Sequence, residues 1–168
     1  MTYSPQSKNK VPMLLSIAFA VVSVSCFFCA GYLPSATWVL QLAFVCFATV
    51  SIQILLKYVL TKYEYKCDDD SLYIYKSLGK KSLLIGKLEL SNSASYIESF
   101  TDFSASEKDY KIKSIYDYTR NYKTTDVYSY VTTIGETNFM IKLEVNNEFA
   151  DYVNCKIDKI FQGDKTND

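Results

Sequence analysis

The sequence contains no histidine, and no acidic residue precedes Glu64. Without histidine, metal sites lose their commonest ligand, and Ser or Cys nucleophiles lose their usual base. The chain also lacks a G-x-S-x-G elbow, a P-loop and a G-x-G-x-x-G motif, each of which would indicate a particular chemistry or nucleotide site. We therefore expect a protein that is not an enzyme, with no catalytic residues, no metal site and no cofactor.

Charged residues are missing from positions 11–56. These 46 uncharged residues would make about 69 Å of helix, close to two crossings of a ~30 Å hydrocarbon core. Glycine and proline are scarce, but Gly31 and Pro34 fall near the middle of the stretch, where they interrupt a helix. The pattern predicts an α-helical transmembrane hairpin over 11–60, preceded by an N-terminal tail over 1–10.

Positive charges flank the predicted hairpin on one side only. Lys8 and Lys10 precede the first helix, Lys57, Lys62 and Lys66 follow the second, and the connecting loop has no charge. Because positively charged flanks stay in the cytoplasm, we expect a two-pass protein of the plasma (inner) membrane with both termini cytoplasmic. The lipid bilayer is then its first partner.

The first apolar segment has an alternative interpretation as a cleaved signal peptide. Its apolar stretch is longer than the ~7–15 residues of a signal core, and no small-x-small site precedes a soluble region. The stretch Ser23-Val24-Ser25-Cys26 is similar to a lipoprotein cleavage box, but Ser23 stands where that box has an aliphatic residue. Even after cleavage, the second segment would anchor the remainder.

Small and polar side chains recur on one face of each predicted membrane helix, where they favour helix association. A turn near Pro34 pairs residues whose numbers add to about 68. Three candidate pairs add to 69: Ser23 with Cys46, Ala20 with Thr49, and Ser16 with Gln53. We expect these stripes to face each other, with Ser16 and Gln53 hydrogen-bonded. The alternative is that small residues are common in membrane helices and the match is coincidental.

From residue 61 the apolar period changes from helical to two, which is typical of strands. The predicted strands cover 63–66, 72–75, 83–90, 111–118, 127–134 and 139–145. An apolar stripe then indicates one amphipathic helix, capped at its start by Asn146 or Asn147; its residues are Phe149, Val153, Ile157 and Ile160. We expect one soluble domain over 61–163 and a disordered tail over 164–168.

The opening of this domain has a recognisable order. Residues 63–90 give a strand, an acidic turn at 68–70, a second strand ending at Gly79, a basic restart at Lys80-Lys81 and a third strand. Directly after a two-helix anchor, this order resembles the bacterial pleckstrin-homology-like (PH-like) membrane proteins. The resemblance implies an α+β domain made of a bent antiparallel sheet with a C-terminal capping helix, and it implies no reaction.

The charges of the domain argue against two ligand classes. The turn Asp68-Asp69-Asp70 repels phosphate, so we do not expect phosphoinositide binding there. Residues 61–168 carry 15 Lys/Arg against 18 Asp/Glu, and this balance does not favour nucleic acid. Candidate membrane-surface contacts are Lys57, Lys62, Lys80, Lys81 and Lys87. For Lys80, Lys81 and Lys87, the nearest thing to a basic patch, the favoured interpretation is a solvated hairpin.

Tyrosine is abundant, and 13 of the 15 tyrosines lie from Tyr58 onward. They suit strand packing, and they also suit a protein-binding surface. The leading hypothesis is a membrane-tethered, non-enzymatic PH-like module that engages a protein partner, or another copy of itself, at the cytoplasmic face. The alternative is a small accessory subunit of a membrane complex that acts through its transmembrane hairpin.

Overall fold

The computed structural model describes residues 1–6, 10–101, 110–121 and 126–164, which form two compact units. One unit runs from Ser7 to Thr61, and the other combines Met1–Gln6 with the chain from Lys62 onward. The flanking Lys8 and the predicted tail beyond residue 164 lie outside the described residues.

The first unit is a pair of long apolar helices. Helix α1 covers Val11–Tyr32, and helix α2 covers Thr37–Ile54 and continues as a π-helical turn over Leu55–Leu60. Between them, Leu33 leaves the helical conformation, with φ of −120° and ψ of 77°, and Pro34 begins a short 3-10 turn. Proline has no N–H to donate and disfavours a helical residue before it, so α1 ends there.

Both helices have the length and composition of membrane spans. A core helix of a soluble protein would bury its apolar side chains, whereas here most of them are exposed. Tyr32 and Trp38, at the loop end of the pair, are among the most exposed, and aromatic rings favour the membrane interface. The two helices are therefore candidate membrane-spanning helices.

Within the described residues, the second unit contains two four-stranded sheets and a long C-terminal helix. The first sheet has the order β1-β2-β3-β4: Thr2–Tyr3, Thr61–Cys67, Ser71–Leu78 and Lys81–Glu89. The second sheet has the order β5-β7-β8-β6, and its strands in chain order β5 to β8 are Glu98–Ser99, Ile112–Asp117, Val127–Ile134 and Thr137–Glu144. Helix α3 covers Asn147–Asp164. The α+β layout predicted for this part of the chain is present.

One strand departs from the predicted antiparallel sheet. Strand β6 runs parallel to β8, with Tyr116 opposite Ile141. A two-residue turn at Gly135, whose φ is +65°, pairs β7 with one edge of β8. Strand β6 pairs with the other edge of β8, so that β7, which is antiparallel to both, lies between them in the chain.

Helix α3 packs on the second sheet as its pattern predicts. The side chain of Asn146 accepts a hydrogen bond from the N–H of Phe149 at 3.0 Å, which caps the helix. Ile141 and Leu143 share one buried cluster with the helical residues facing them, Val153 and Ile157. On the opposite face of β8, Met140 is buried in a second cluster with Val131, so the sheet is covered on both faces.

Residues 1–6, assigned to a tail from sequence, belong to the first sheet instead. Tyr3 lies opposite Tyr65 in an antiparallel pair, and the N–H of Cys67 donates to the carbonyl of Met1 at 2.9 Å. A two-residue strand is too short to show a pattern in the sequence. Its pairing partner also lies more than 60 positions away, so local sequence does not reveal it.

Candidate interaction surface

The β3–β4 hairpin extends beyond the core that it covers. Leu72 and Ile74 are fully buried on one face of β3. Lys76 and Leu78 lie on the same face of β3, two and four residues beyond Ile74, and both are exposed. The end of the hairpin therefore projects past the packed part of the domain.

The projecting end is apolar on both faces. Its exposed apolar residues, here called the apolar overhang, are Leu78, Leu83, Leu84 and Ile85. Leu83 is 68% exposed and lies opposite Lys76, whereas Leu84 is 51% exposed and lies opposite Tyr75 on the other face. A bulge places Ile85 between two paired positions. Such a group of exposed aliphatic side chains is typical of an interaction site.

The apolar overhang lies on an open edge of the first sheet. Strand β1, at the opposite edge, covers β2, so the N-terminus of the chain protects that side. Within the part of the chain that the structure describes, no strand pairs with the outer side of β4. Its backbone N–H and C=O groups there form a template for an incoming strand.

The predicted basic patch is not one patch. Lys80 and Lys81 lie at the exposed tip of the hairpin, beside Gly79 with its φ of +63°. Lys87 lies six residues further along β4, roughly 20 Å away, and its Nζ is 3.9 Å from the carboxylate of Glu89. Along an extended strand six residues cover a long distance, so Lys80 and Lys81 lie together and Lys87 lies apart from them.

The two remaining candidate lysines lie in different units. Lys57 is exposed in the last turn of α2, with its Nζ 5.1 Å from the ring centroid of Tyr58. Lys62 is exposed on β2, where the side chains alternate between buried and exposed. Contact of these lysines with a membrane surface stays a prediction.

The acidic turn after β2 is partly neutralised by helix α3. The ammonium of Lys156 bonds the carboxylate of Asp69, which lowers the pKa of Asp69 and raises that of Lys156. The turn also lines an open cavity of about 610 Å³, together with Lys87 and Glu89. The expectation that phosphate ligands do not bind at this turn stays a prediction.

A buried carboxylate holds the N-terminal segment on the domain. Glu144 is 2% exposed, and it accepts hydrogen bonds from the backbone N–H groups of Arg120 and Asn121 at 2.9 and 2.8 Å and from the Asn121 side chain. In turn, Arg120 donates to the carbonyl of Pro5 and Asn121 to that of Gln6, at 2.8 and 2.7 Å. We call these five residues the N-terminal latch.

A buried tyrosine bonds the backbone next to the latch. The hydroxyl of Tyr65 donates to the carbonyl of Tyr118 at 2.7 Å and accepts from the N–H of Glu144 at 3.3 Å. Burial raises the pKa of this hydroxyl, so it stays protonated and keeps its role as donor. The residue before the latch, Ser4, donates to the carbonyl of Tyr63 at 3.0 Å. The sequence offers no signal for this network, because its members are scattered along the chain.

Polar contacts cross between the two apolar helices. Ser16 and Ser51 are buried against each other with their Oγ atoms 3.2 Å apart, and each donates to the carbonyl of the other. The hydroxyl of Ser23 donates to the carbonyl of Phe44 at 3.0 Å. Near the loop, Thr37 donates to the carbonyl of Ala30 at 3.2 Å.

The predicted pairing of the helices is wrong by two residues. The numbers of each bonded pair add to 67, whereas the expected pairs add to 69. Ser16 and Ser23 lie in the contact as expected, but the other four predicted residues are exposed: Ala20, Cys46, Thr49 and Gln53. A shift of two positions turns a helix by about 200°, so the expected stripe of α2 faces away from α1.

Among the described residues, no group of three His, Cys, Asp or Glu side chains is placed to hold a metal ion. The five cysteines are free thiols, and Cys67 is buried. Comparison with protein-family models, with curated proteins and with solved structures gives no match. What the protein does must therefore be inferred from the geometry of its own residues.

Proposed function

We propose that the protein is a two-pass, membrane-anchored, non-enzymatic PH-like module that binds an extended segment of a protein partner along its apolar overhang, at the cytoplasmic face of the plasma membrane. The observation that carries this proposal is the open edge of β4 with its exposed Leu83 and Leu84. Soluble proteins usually cover or charge such an edge. An edge left apolar and open is suited to bind a strand.

The anchor follows from the exposed apolar faces of α1 and α2. The pairing of Tyr3 with Tyr65 keeps the residues before α1 on the domain that follows α2. Both ends of the helix pair then emerge on one side of the membrane. The lysines at those ends favour the cytoplasmic side.

The PH-like assignment is supported by two sheets followed by one packed C-terminal helix. The parallel pairing of β6 with β8 is a departure from the all-antiparallel sheet that the resemblance implies. It leaves the first sheet and its open edge unchanged.

The mode of binding follows from the geometry of the edge. Backbone hydrogen bonds to the outer side of β4 would supply affinity, and the side chains of Leu83 and Leu84, on opposite faces, would supply specificity. Lys80 and Lys81 at the tip favour a partner segment with an acidic residue at one end. The same tip also suits contact with anionic lipid, and the experiment must separate these two outcomes.

The test places a photo-crosslinking residue at position 84 of the full-length protein in cells, with position 64 on the same sheet as control. We expect a discrete protein adduct from position 84 and none from Glu64, which is exposed on β2. A Leu83→Asp change should abolish the adduct, because it places a charge in the apolar contact. The equally exposed Ile134, changed to Asp, should leave it unaffected.

Three outcomes would contradict the proposal. An adduct with lipid alone would assign the apolar overhang to the membrane surface. Equal adducts from positions 84 and 64 would indicate non-specific proximity. Loss of the adduct with Ile134→Asp would show that the domain as a whole, and not its β4 edge, determines binding.

A second candidate function is the accessory subunit that acts through its hairpin. It is favoured by the polar stripe of α2 that faces away from α1, at Cys46, Thr49 and Gln53. Removal of residues 64–168 separates the two functions. A hairpin that still co-purifies with the native partner would support the accessory subunit and overturn the proposal above.

A further inference from the structure

A small open cavity lies where helix α3 meets the segment between β4 and β5. Its volume is about 210 Å³, less than the ~300–1,000 Å³ of sites that hold drug-sized molecules. Three aromatic rings line it, those of Tyr96, Tyr110 and Phe161, together with the carboxylate of Glu98. We call this cavity the aromatic pocket. Its size suits a small ligand, and its rings determine which kind.

Helix α3 supplies one wall of the aromatic pocket. Ile157 and Phe161 both line it, and they lie four positions apart on one face of the helix. Ile157 is buried in the core, whereas Phe161 is 41% exposed. The apolar face of the helix therefore extends one turn past the core that it covers, and the ring of Phe161 is left facing the cavity.

The opposite wall is held in place by hydrogen bonds to α3. The side-chain amide of Asn154 bonds both backbone groups of Ile97: it accepts from the N–H at 2.8 Å and donates to the carbonyl at 3.0 Å. The hydroxyl of Tyr96 donates to the carboxylate of Asp158 at 2.7 Å. The ring of Tyr96 is thus fixed although it is 45% exposed, and a fixed wall lowers the entropy lost when a ligand binds.

The charge at the aromatic pocket is negative. Glu98 lines it, and the carboxylate of Asp158 lies against the hydroxyl of Tyr96. In the part of the chain that the structure describes, no lysine or arginine lines it. The faces of aromatic rings are also negative. The pocket therefore attracts a cation and repels an anion.

The hydrogen bonds already made at the pocket favour one kind of cation. The hydroxyl of Ser93 donates to the carbonyl of Leu90 at 2.6 Å. That of Ser95 donates to the carbonyl of Tyr96 and accepts from the N–H of Val131, both at 3.0 Å. These lining hydroxyls are engaged with the backbone, so they are poor partners for the three N–H groups of a primary ammonium. A quaternary ammonium has no N–H to satisfy and binds to aromatic faces.

We propose that the aromatic pocket binds a small quaternary ammonium ion, with its methyl groups against the rings of Tyr96, Tyr110 and Phe161 and its charge beside Glu98. Aromatic rings around a cation are the usual means by which proteins recognise this group. The pocket shares no residue with the apolar overhang, so this inference does not depend on the proposed function. A soluble molecule or a lipid headgroup can supply the ammonium, and the experiment separates these two sources.

The test measures binding of radiolabelled choline to the full-length protein in nanodiscs of phosphatidylglycerol, a lipid whose headgroup has no ammonium. Unlabelled choline should displace the label. The neutral alcohol in which carbon replaces the nitrogen of choline has the same shape without the charge, and it should not. Equal displacement by this alcohol would show that the pocket accepts any compact apolar group, which overturns the inference.

A first set of variants tests the rings. Phe161→Leu should weaken choline binding by about two- to thirtyfold, the range that one cation–π contact supplies. Phe161→Trp should preserve binding, because indole is the strongest aromatic partner of a cation. The control is Tyr116→Leu, which removes a similarly exposed ring on β6 and should have no effect.

A second pair of variants tests the charge. Glu98→Gln keeps the shape of the side chain but should weaken choline binding, whereas Glu136→Gln, in the exposed turn between β7 and β8, should not. Equal resistance of all variants to pulse proteolysis in urea establishes that the domain is intact.

The remaining outcomes are decisive in the same way. Absence of saturable choline binding overturns the inference, and so does binding that Phe161→Leu and Glu98→Gln leave unchanged, because the ligand then lies elsewhere. Nanodiscs of phosphatidylcholine identify the source if the site is present. Loss of choline binding in them would assign the pocket to a lipid headgroup, and unchanged binding would assign it to a soluble quaternary ammonium.

Discussion

At the scale of single residues, the least expected feature is Glu144. A buried carboxylate is stable only when hydrogen-bond donors replace the lost water, and here the chain after Tyr118 supplies three N–H groups from Arg120 and Asn121. The alternation along β8 places Glu144 on the face opposite Leu143. It does not show which segments of the chain cover that face. The N-terminal latch depends on those neighbours.

The latch predicts a large effect of a small change. Glu144→Gln keeps the size of the side chain but replaces an acceptor oxygen with an NH₂ group that points at N–H donors. We expect the free energy of unfolding of the domain to fall by about 2–3 kcal/mol, the scale of lost hydrogen bonds to a buried charged group. Pulse proteolysis in urea measures this on the whole protein.

The matched control is Glu136→Gln, in the exposed turn between β7 and β8. An exposed charge away from such contacts should change the free energy by under ~0.5 kcal/mol. Equal destabilisation by both changes would mean that the carboxylate of Glu144 does not hold the latch.

At the scale of elements, the longer helices and strands were predictable from the sequence, but the way in which they pair was not. The uncharged stretch and its central proline define α1 and α2 to within a few residues, and the stripe ending at Ile160 defines α3. The relative rotation of two membrane helices depends on which small residues contact, and α2 offers Ser51 on one face and Thr49 and Gln53 on another. The sequence does not rank these faces.

The observed pairing predicts a specific crosslink. Ser16→Cys combined with Ser51→Cys should form a disulfide within one chain, because the two Oγ atoms are 3.2 Å apart and a disulfide needs only a small adjustment. Ser16→Cys with Gln53→Cys, the pair expected from sequence, should not. Both are made in a chain whose native membrane cysteines are Ala.

The readout is electrophoretic mobility after mild oxidation, with and without reductant. Crosslinking of the 16/53 pair in preference to the 16/51 pair would restore the sequence-based register.

At the scale of the whole molecule, the central claim is a helix pair that crosses the membrane and returns to one soluble domain. Composition predicts the division into an apolar and a polar part, since all acidic residues follow the helices. The return of Met1–Gln6 to the domain was not predictable, because it rests on contacts between residues more than 60 and 110 positions apart.

The most direct measurement of this claim is labelling of single thiols in intact cells with a membrane-impermeant reagent. In a chain lacking Cys26, Cys29 and Cys46, the account predicts that Ser35→Cys, exposed in the loop between α1 and α2, is labelled from outside. The native Cys155, exposed on α3, should be labelled only after the membrane is permeabilised. Labelling of Cys155 in intact cells with Ser35→Cys protected would contradict the account.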